Sequence, residues 1–161
     1  MTGFVQARDR RFPVGGANIR GIGDITTDAV CGGGDYARPE QAVAHARDML
    51  RDGADILDIG GQSTRPGYEE ISPAAEWDRL EPVLRVLLKE TDAVLSVDTY
   101  YPEVAGRALE LGVHIINDVS GFSPEIVPAV KDSGCGCTVR HPGDEGPGGI
   151  CQRVRAVFGT S

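Results

Sequence analysis

The run Gly60-Gly61-Gln62-Ser63-Thr64-Arg65-Pro66-Gly67 brings together exposed backbone N–H groups, two hydroxyls and a guanidinium. Those are the donors that hold an oxyanion such as a phosphate, the arginine through a two-pronged fork. An ordinary glycine-rich turn with a solvated arginine fits the same composition. Asp98 and Asn117 each close an apolar run. A carboxylate that accepts two N–H bonds beside an amide that both donates and accepts would suit a flat heterocycle. Capping a turn and satisfying loop backbone is the alternative for the pair. Asp24 and Asp28 are hard oxygen donors, and one such carboxylate commonly holds magnesium while water and a substrate phosphate complete its shell. His45, His114 and His141 lie far apart without zinc spacing and receive no role. Cys135-Gly136-Cys137 is one residue short of the two-residue spacing of redox or zinc pairs, so buried strand thiols are expected there.

These residues need a scaffold, and the apolar pattern supplies one. Five short apolar runs, over 19–25, 54–61, 93–99, 114–121 and 136–141, alternate with stretches of helical period, the mark of parallel βα units. The middle runs are almost continuously apolar, as strands covered on both faces are. Helices are predicted over 39–51 (Ala42, Val43, Ala46, Met49 and Leu50 on one stripe), 73–89, 102–111 and 123–132, with a fifth over 152–158. Ser72-Pro73-Ala74-Ala75-Glu76 reads as a capping-box start, with Glu76 as the box's reciprocal member, and Trp77 as a residue packed on the sheet. A hairpin across Gly15-Gly16 is expected to cap the bottom of the sheet, and 141–149 reads as a loop. In such folds ligands gather where the strands end, and the strand ends here carry the acids and amides named above. Five parallel strands would also suffice for a doubly wound sheet.

Sixteen basic against 24 acidic residues give the 161-residue chain a formal charge of -8 and a pI near 4.8. Such a balance repels nucleic-acid backbones and anionic membranes at long range, so neither is an expected partner. The start lacks the apolar core of a signal peptide, no run approaches the ~20 apolar residues of a membrane span, and four cysteines are too few for a disulfide framework. A reducing cytoplasm is the expected compartment.

Taken together, Gly53 to Gly67, Ser96-Val97-Asp98-Thr99 and Ile115 to Gly121 resemble dihydropteroate synthase of the pterin-binding TIM-barrel family, as an N-terminal portion or a truncated copy. The resemblance implies a partial (β/α)8 barrel over 1–161, incomplete at its C-terminus. It also implies a transferase of folate biosynthesis that condenses hydroxymethyl-dihydropterin diphosphate with 4-aminobenzoate, releasing pyrophosphate, with Mg2+ as cofactor. Asp98 and Asn117 match the pterin contacts. Thr64 and Arg65 match the loop that meets the diphosphate and aminobenzoate, with Arg65 stabilising the leaving group. Asp24 stands where the family has a metal-linked asparagine. The family's Thr-Pro-Asp-Ser-Phe-Ser-Asp is here Thr26-Thr27-Asp28-Ala29-Val30-Cys31-Gly32, and its later aspartate, lysine and Arg-x-His motifs are not in this sequence. Little turnover is expected from this chain alone. A methyltetrahydrofolate-corrinoid methyltransferase domain and a non-catalytic pterin-binding remnant are the alternatives. The Ser63 to Gly67 run speaks against the first. Family members are usually dimers, so an oligomer is compatible with this reading.

Overall fold

A computed structural model describes residues 4–13, 20–24, 39–62, 69–118, 120, 121 and 123–139. An antiparallel hairpin of β1 (Phe4–Ala7) and β2 (Arg10–Pro13) precedes β3 (Arg20–Asp24). Then follow α1 (Pro39–Arg51), β4 (Ile56–Gly60), α2 (Pro73–Glu90), β5 (Val94–Asp98), α3 (Pro102–Leu111), β6 (Ile115–Asp118), α4 (Val127–Val130) and β7 (Gly136–Val139). The five main strands pair in parallel in the order β3-β4-β5-β6-β7. A doubly wound sheet reverses its strand order at a switch point. This order never reverses, and α1 packs on α2, α2 on α3 and α3 on α4 in a single layer.

The strands alternate strictly between two environments, as their period of two demands. Leu57, Ile59, Leu95, Val97 and Ile116 face the helices and form the main core with Val43, Leu80, Leu84, Leu87, Val104 and Ala108. The other face carries Arg20, Asp58, Ser96, Asp98, Asn117 and Thr138. An Arg20 Nη2 hydrogen bond to Thr138 Oγ1, 2.9 Å long, joins β3 to β7, the two outermost strands. In a flat sheet those strands would stand about 19 Å apart, beyond the reach of these two side chains. The sheet is therefore curled, with the polar face inside, as in part of a barrel.

The hairpin closes the bottom of this trough, as expected, but its turn is elsewhere. It bends at Arg8 and Asp9, with Ala7 facing Arg10, whereas Gly15-Gly16 lies outside the described residues. Arg8 adopts φ 57°, held there because its N–H donates to Gly134 O (2.7 Å) and its guanidinium to Leu109 O (2.9 Å). Ala7 packs with Val94 and Ile115 at the starts of β5 and β6. A Cβ on Gly136 would lie 3.1 Å from the Ala7 Cβ, so this glycine lets the hairpin approach β7.

Two helix expectations need correction. Ser72 Oγ accepts from Ala75 N at 3.2 Å, but Glu76 stands four residues past the cap, not the three a capping box requires, and its carboxylate is buried against Thr99 instead. The fourth helix is turns over 124–126 followed by the single turn of α4, because Pro128 cannot donate and lies where a longer helix would need its N–H. The strand expected over 136–141 ends its described part at Val139, and the helix expected over 152–158 and the loop over 141–149 lie outside the described residues. Among the described residues, no helix is long and apolar enough to cross a membrane.

Candidate functional site

The strand register places the rim. Asp24, Gly60, Asp98, Asn117 and Thr138 are successive partners across β3 to β7, so they share one level and one face, the concave one. The expectation that Asp98 and Asn117 end neighbouring strands on the same side is met directly by their pairing. Asp24 belongs to this level through its backbone; its side chain, like Asp28, Thr64 and Arg65, lies outside the described residues.

One step deeper sits a residue that sequence reasoning passed over. Asp58 is 4% exposed and accepts from Asn117 Nδ2 at 2.9 Å on its Oδ2, which also faces Arg20 Nη1 at 3.6 Å. Its Oδ1 has no partner among the described residues, nor has Ser96 Oγ beside it in the register. Buried polar atoms without partners cost about 1–3 kcal/mol each, so the two mark a place shaped for donors and acceptors from outside the described residues. The signals were present: an acid interrupts an apolar strand at 58, and Ser96 lies two residues before Asp98, on the same face.

A second cluster stands above the rim. Gln62 Nε2 donates to Tyr100 Oη at 2.7 Å, and Gln62 Oε1 accepts from Ile71 N at 3.2 Å. Tyr101 Oη is 3.0 Å from Glu70 Oε1 and 2.7 Å from Ile71 O. Gln62 and Ile71 bracket residues 63–68, so the chain leaves and re-enters at one place, beside the tyrosines that follow β5. Burial pushes both phenols above their ordinary pKa, more strongly for Tyr100, where the neighbouring phenol adds to it.

Behind the rim, Thr99 Oγ1 donates to Glu76 Oε2 at 2.6 Å. Burial pushes the Glu76 carboxyl up to about 7, against the opposing pull of the Thr99 bond and Arg79. Gly61 is required by this packing: a Cβ there would come within 2.7 Å of Glu76 Cγ and 3.1 Å of the Glu76 carbonyl oxygen. Gly61→Ala should therefore cost about 1–3 kcal/mol of stability, read as a lower urea midpoint at unchanged slope.

The remaining candidates divide. His45 is exposed on α1, whereas His114 is buried, accepts from Leu95 N at 3.2 Å on Nδ1, and burial lowers its pKa. Trp77 is buried in the core with the Arg107 guanidinium 5.8 Å from its ring. The cysteines are not the buried pair expected: Cys135 is half-buried and Cys137 exposed, because β7 pairs only with β6 among the described residues. A groove of about 320 Å3 between α1 and α2, lined by Val43, Arg47, Pro82 and Val86, lies away from the strand ends.

Of the two carboxylates expected to hold magnesium, Asp24 reaches the strand end beside Gly60 through its backbone, and Asp28 lies outside the described residues. One carboxylate, with water and phosphate in the other positions, is a shell that magnesium commonly takes. Among the described residues, no group of three or more His, Cys, Asp or Glu gathers into a metal cage.

Comparison with known proteins gives a consistent picture. A family described as "Pterin binding enzyme" matches residues 20–152. A dihydropteroate synthase of Clostridium beijerinckii is 41% identical over 107 residues, covering 66% of this chain and 40% of that protein. One from Staphylococcus haemolyticus is 41% identical over 128 residues, 78% of this chain and 48% of its own length. Among solved structures, a Xanthomonas albilineans dihydropteroate synthase with 4-aminobenzoic acid superposes with TM-score 0.86 at 33% identity, over 98% of this chain and 62% of that one. A Burkholderia cenocepacia dihydropteroate synthase complexed with 7,8-dihydropteroate gives TM-score 0.79 at 28% identity, over 97% and 58%. The chain spans less than half the length of those two curated relatives.

Proposed function

The chain belongs to the pterin-binding enzyme family, and from that premise we propose that it carries the pterin-binding part of a dihydropteroate synthase of folate biosynthesis. The observation that carries this reading is the buried Asp58–Asn117 pair, with Asp58 Oδ1 and Ser96 Oγ lacking partners among the described residues, under a rim that includes Asp98. A pterin is flat and presents several ring and exocyclic N–H donors beside acceptors. Carboxylates at 58 and 98 would accept those N–H bonds, and Asn117 and Ser96 would supply the complementary groups.

In the reaction proposed, the amine nitrogen of 4-aminobenzoate attacks the exocyclic methylene carbon of the pterin diphosphate. The carbon–oxygen bond to the diphosphate breaks, its electron pair leaves on pyrophosphate, and the amine loses a proton. Arg65 would neutralise charge on the departing oxygens and Thr64 would bond them, both between Gln62 and Ile71, which are hydrogen-bonded to each other. Asp24 would hold magnesium, which when bound supplies further charge neutralisation to the diphosphate. A cytoplasmic setting accords with this reading.

The relatives' greater length makes binding, rather than turnover, the decisive readout. In titration calorimetry with magnesium present, the pterin diphosphate should bind the folded chain, and a pterin without the diphosphate should bind more weakly. Absence of heat with either, from a chain whose circular dichroism shows it folded, would overturn the proposal. Binding without pyrophosphate release on adding 4-aminobenzoate would assign the chain to pterin recognition alone.

A further inference from the structure

The cysteine pair at the start of β7 lies on the other side of the sheet from the pterin candidates. Cys137 is the register partner of Ile116, which faces the helices, whereas Thr138 pairs with Asn117 on the concave face. Cys135 and Cys137 thus point together toward the helix side, with their sulfurs 4.0 Å apart. The backbone that carries them is anchored at three points. Gly134 O accepts from Arg8 N at 2.7 Å, Cys135 N donates to Ser133 Oγ at 3.1 Å, and Gly136 N donates to His114 O at 2.9 Å.

Two fates are open to a dithiol of this kind. A disulfide needs its sulfurs at about 2.05 Å and its Cα atoms usually within 4.4–6.8 Å. Two steps along an extended strand span about 6.6 Å, near the far limit, and the anchored backbone opposes the buckling that would bring the sulfurs together. A bridging cation asks for no such movement. With metal–sulfur distances of about 2.3 Å, two sulfurs on one ion stand from about 3.8 Å apart at a tetrahedral angle to about 4.6 Å when opposed. The observed separation falls inside that interval.

We infer that Cys135 and Cys137 form a chelating dithiol for a single soft, thiophilic cation, of which monovalent copper is the type. Thiolates select such ions over magnesium or calcium. A two-sulfur site also suits an ion content with few ligands, since no further His, Cys, Asp or Glu joins the pair among the described residues. Entry is through exposed Cys137. Each sulfur that joins the cation as a thiol gives up its proton to solvent, so the site binds as a dithiolate.

The test uses the full chain with Cys31→Ser and Cys151→Ser, which leaves only this pair, titrated anaerobically with Cu(I) as its bicinchoninate complex. One copper per chain should be drawn from the dye, at least 100-fold more tightly than by the same chain carrying Cys135→Ser or Cys137→Ser. Cys137 is exposed, so Cys137→Ser should leave the thermal midpoint unchanged and is the decisive variant even if Cys135→Ser unfolds. Equal affinity in the pair and in Cys137→Ser would overturn the inference. So would a stoichiometry of one copper per two chains, which would mean bridging between molecules.

Discussion

Asp58→Ala should lower the unfolding free energy of this chain by about 3–5 kcal/mol, whereas Asp58→Asn should cost less than half as much. The carboxylate is almost fully buried, accepts from Asn117 and pairs with Arg20. Alanine removes the acceptor, strands the buried Asn117 amide and leaves a cavity inside the curled sheet. Asparagine keeps an oxygen for Asn117 Nδ2, and Arg20, which is 28% exposed and also bonded to Thr138, can turn toward solvent. Urea titrations of the three chains at one pH measure the difference; equal losses for alanine and asparagine would mean that only side-chain volume matters at this position.

The same pair of variants separates support of the fold from recognition of a ligand. If Asp58 Oδ1 is the atom that meets an N–H of the pterin, asparagine replaces a charged acceptor by a neutral group. A hydrogen bond to a charged group contributes about 1.5–3 kcal/mol. Asp58→Asn should therefore weaken pterin diphosphate binding by about 10- to 150-fold while the chain stays folded. An Asp58→Asn chain that binds as tightly as the parent would exclude the carboxylate from the site and move the burden to Asp98.

What the sequence made legible, and what it did not, follows from the range of the interactions. The five strands and the first three helices are written in local periodicity, in the stripe of α1, the Ser72-Pro73 start of α2 and Pro102 at the head of α3. Asp98 and Asn117 stand out because each closes an apolar run, and their pairing follows from strand adjacency. Asp58, Ser96 and Arg20 became visible only when register and curvature placed them on one concave face. No local pattern reports that an arginine at the start of β3 meets a threonine on β7. The hairpin turn at Arg8 and Asp9 went unread for the same reason. Gly15-Gly16 is the stronger turn signal, yet Arg8 is held in its left-handed conformation by contacts to Gly134 and Leu109, far along the chain.

Glu76→Gln should make the chain more stable at pH 8.5 and leave it nearly unchanged at pH 4.5. Burial raises the folded-state pKa of Glu76 from 4.5 to about 7, so the native chain binds a proton there that the unfolded chain has already released. Stability falls with pH wherever the native state holds more protons than the unfolded one. The contribution of the protonated acid is fully present below about 4.5, declines between the two pKa values and is gone above about 7, a total on the order of 3 kcal/mol. Glutamine is neutral throughout and still offers Thr99 an acceptor, so the gain over the parent at pH 8.5 should be about 2–3 kcal/mol. His114, whose lowered pKa works in the opposite sense, is common to both chains and cancels in the difference. Urea midpoints across this range would show parent and variant diverging as pH rises through 7; parallel curves would mean that Glu76 ionises freely in the fold. Thr99 follows Asp98 directly and its Oγ also accepts from Tyr101 N at 3.2 Å. The ionisation of Glu76 is therefore felt at the candidate pterin rim, and the parent chain's affinity for a pterin should change over the same pH interval while that of Glu76→Gln stays flat.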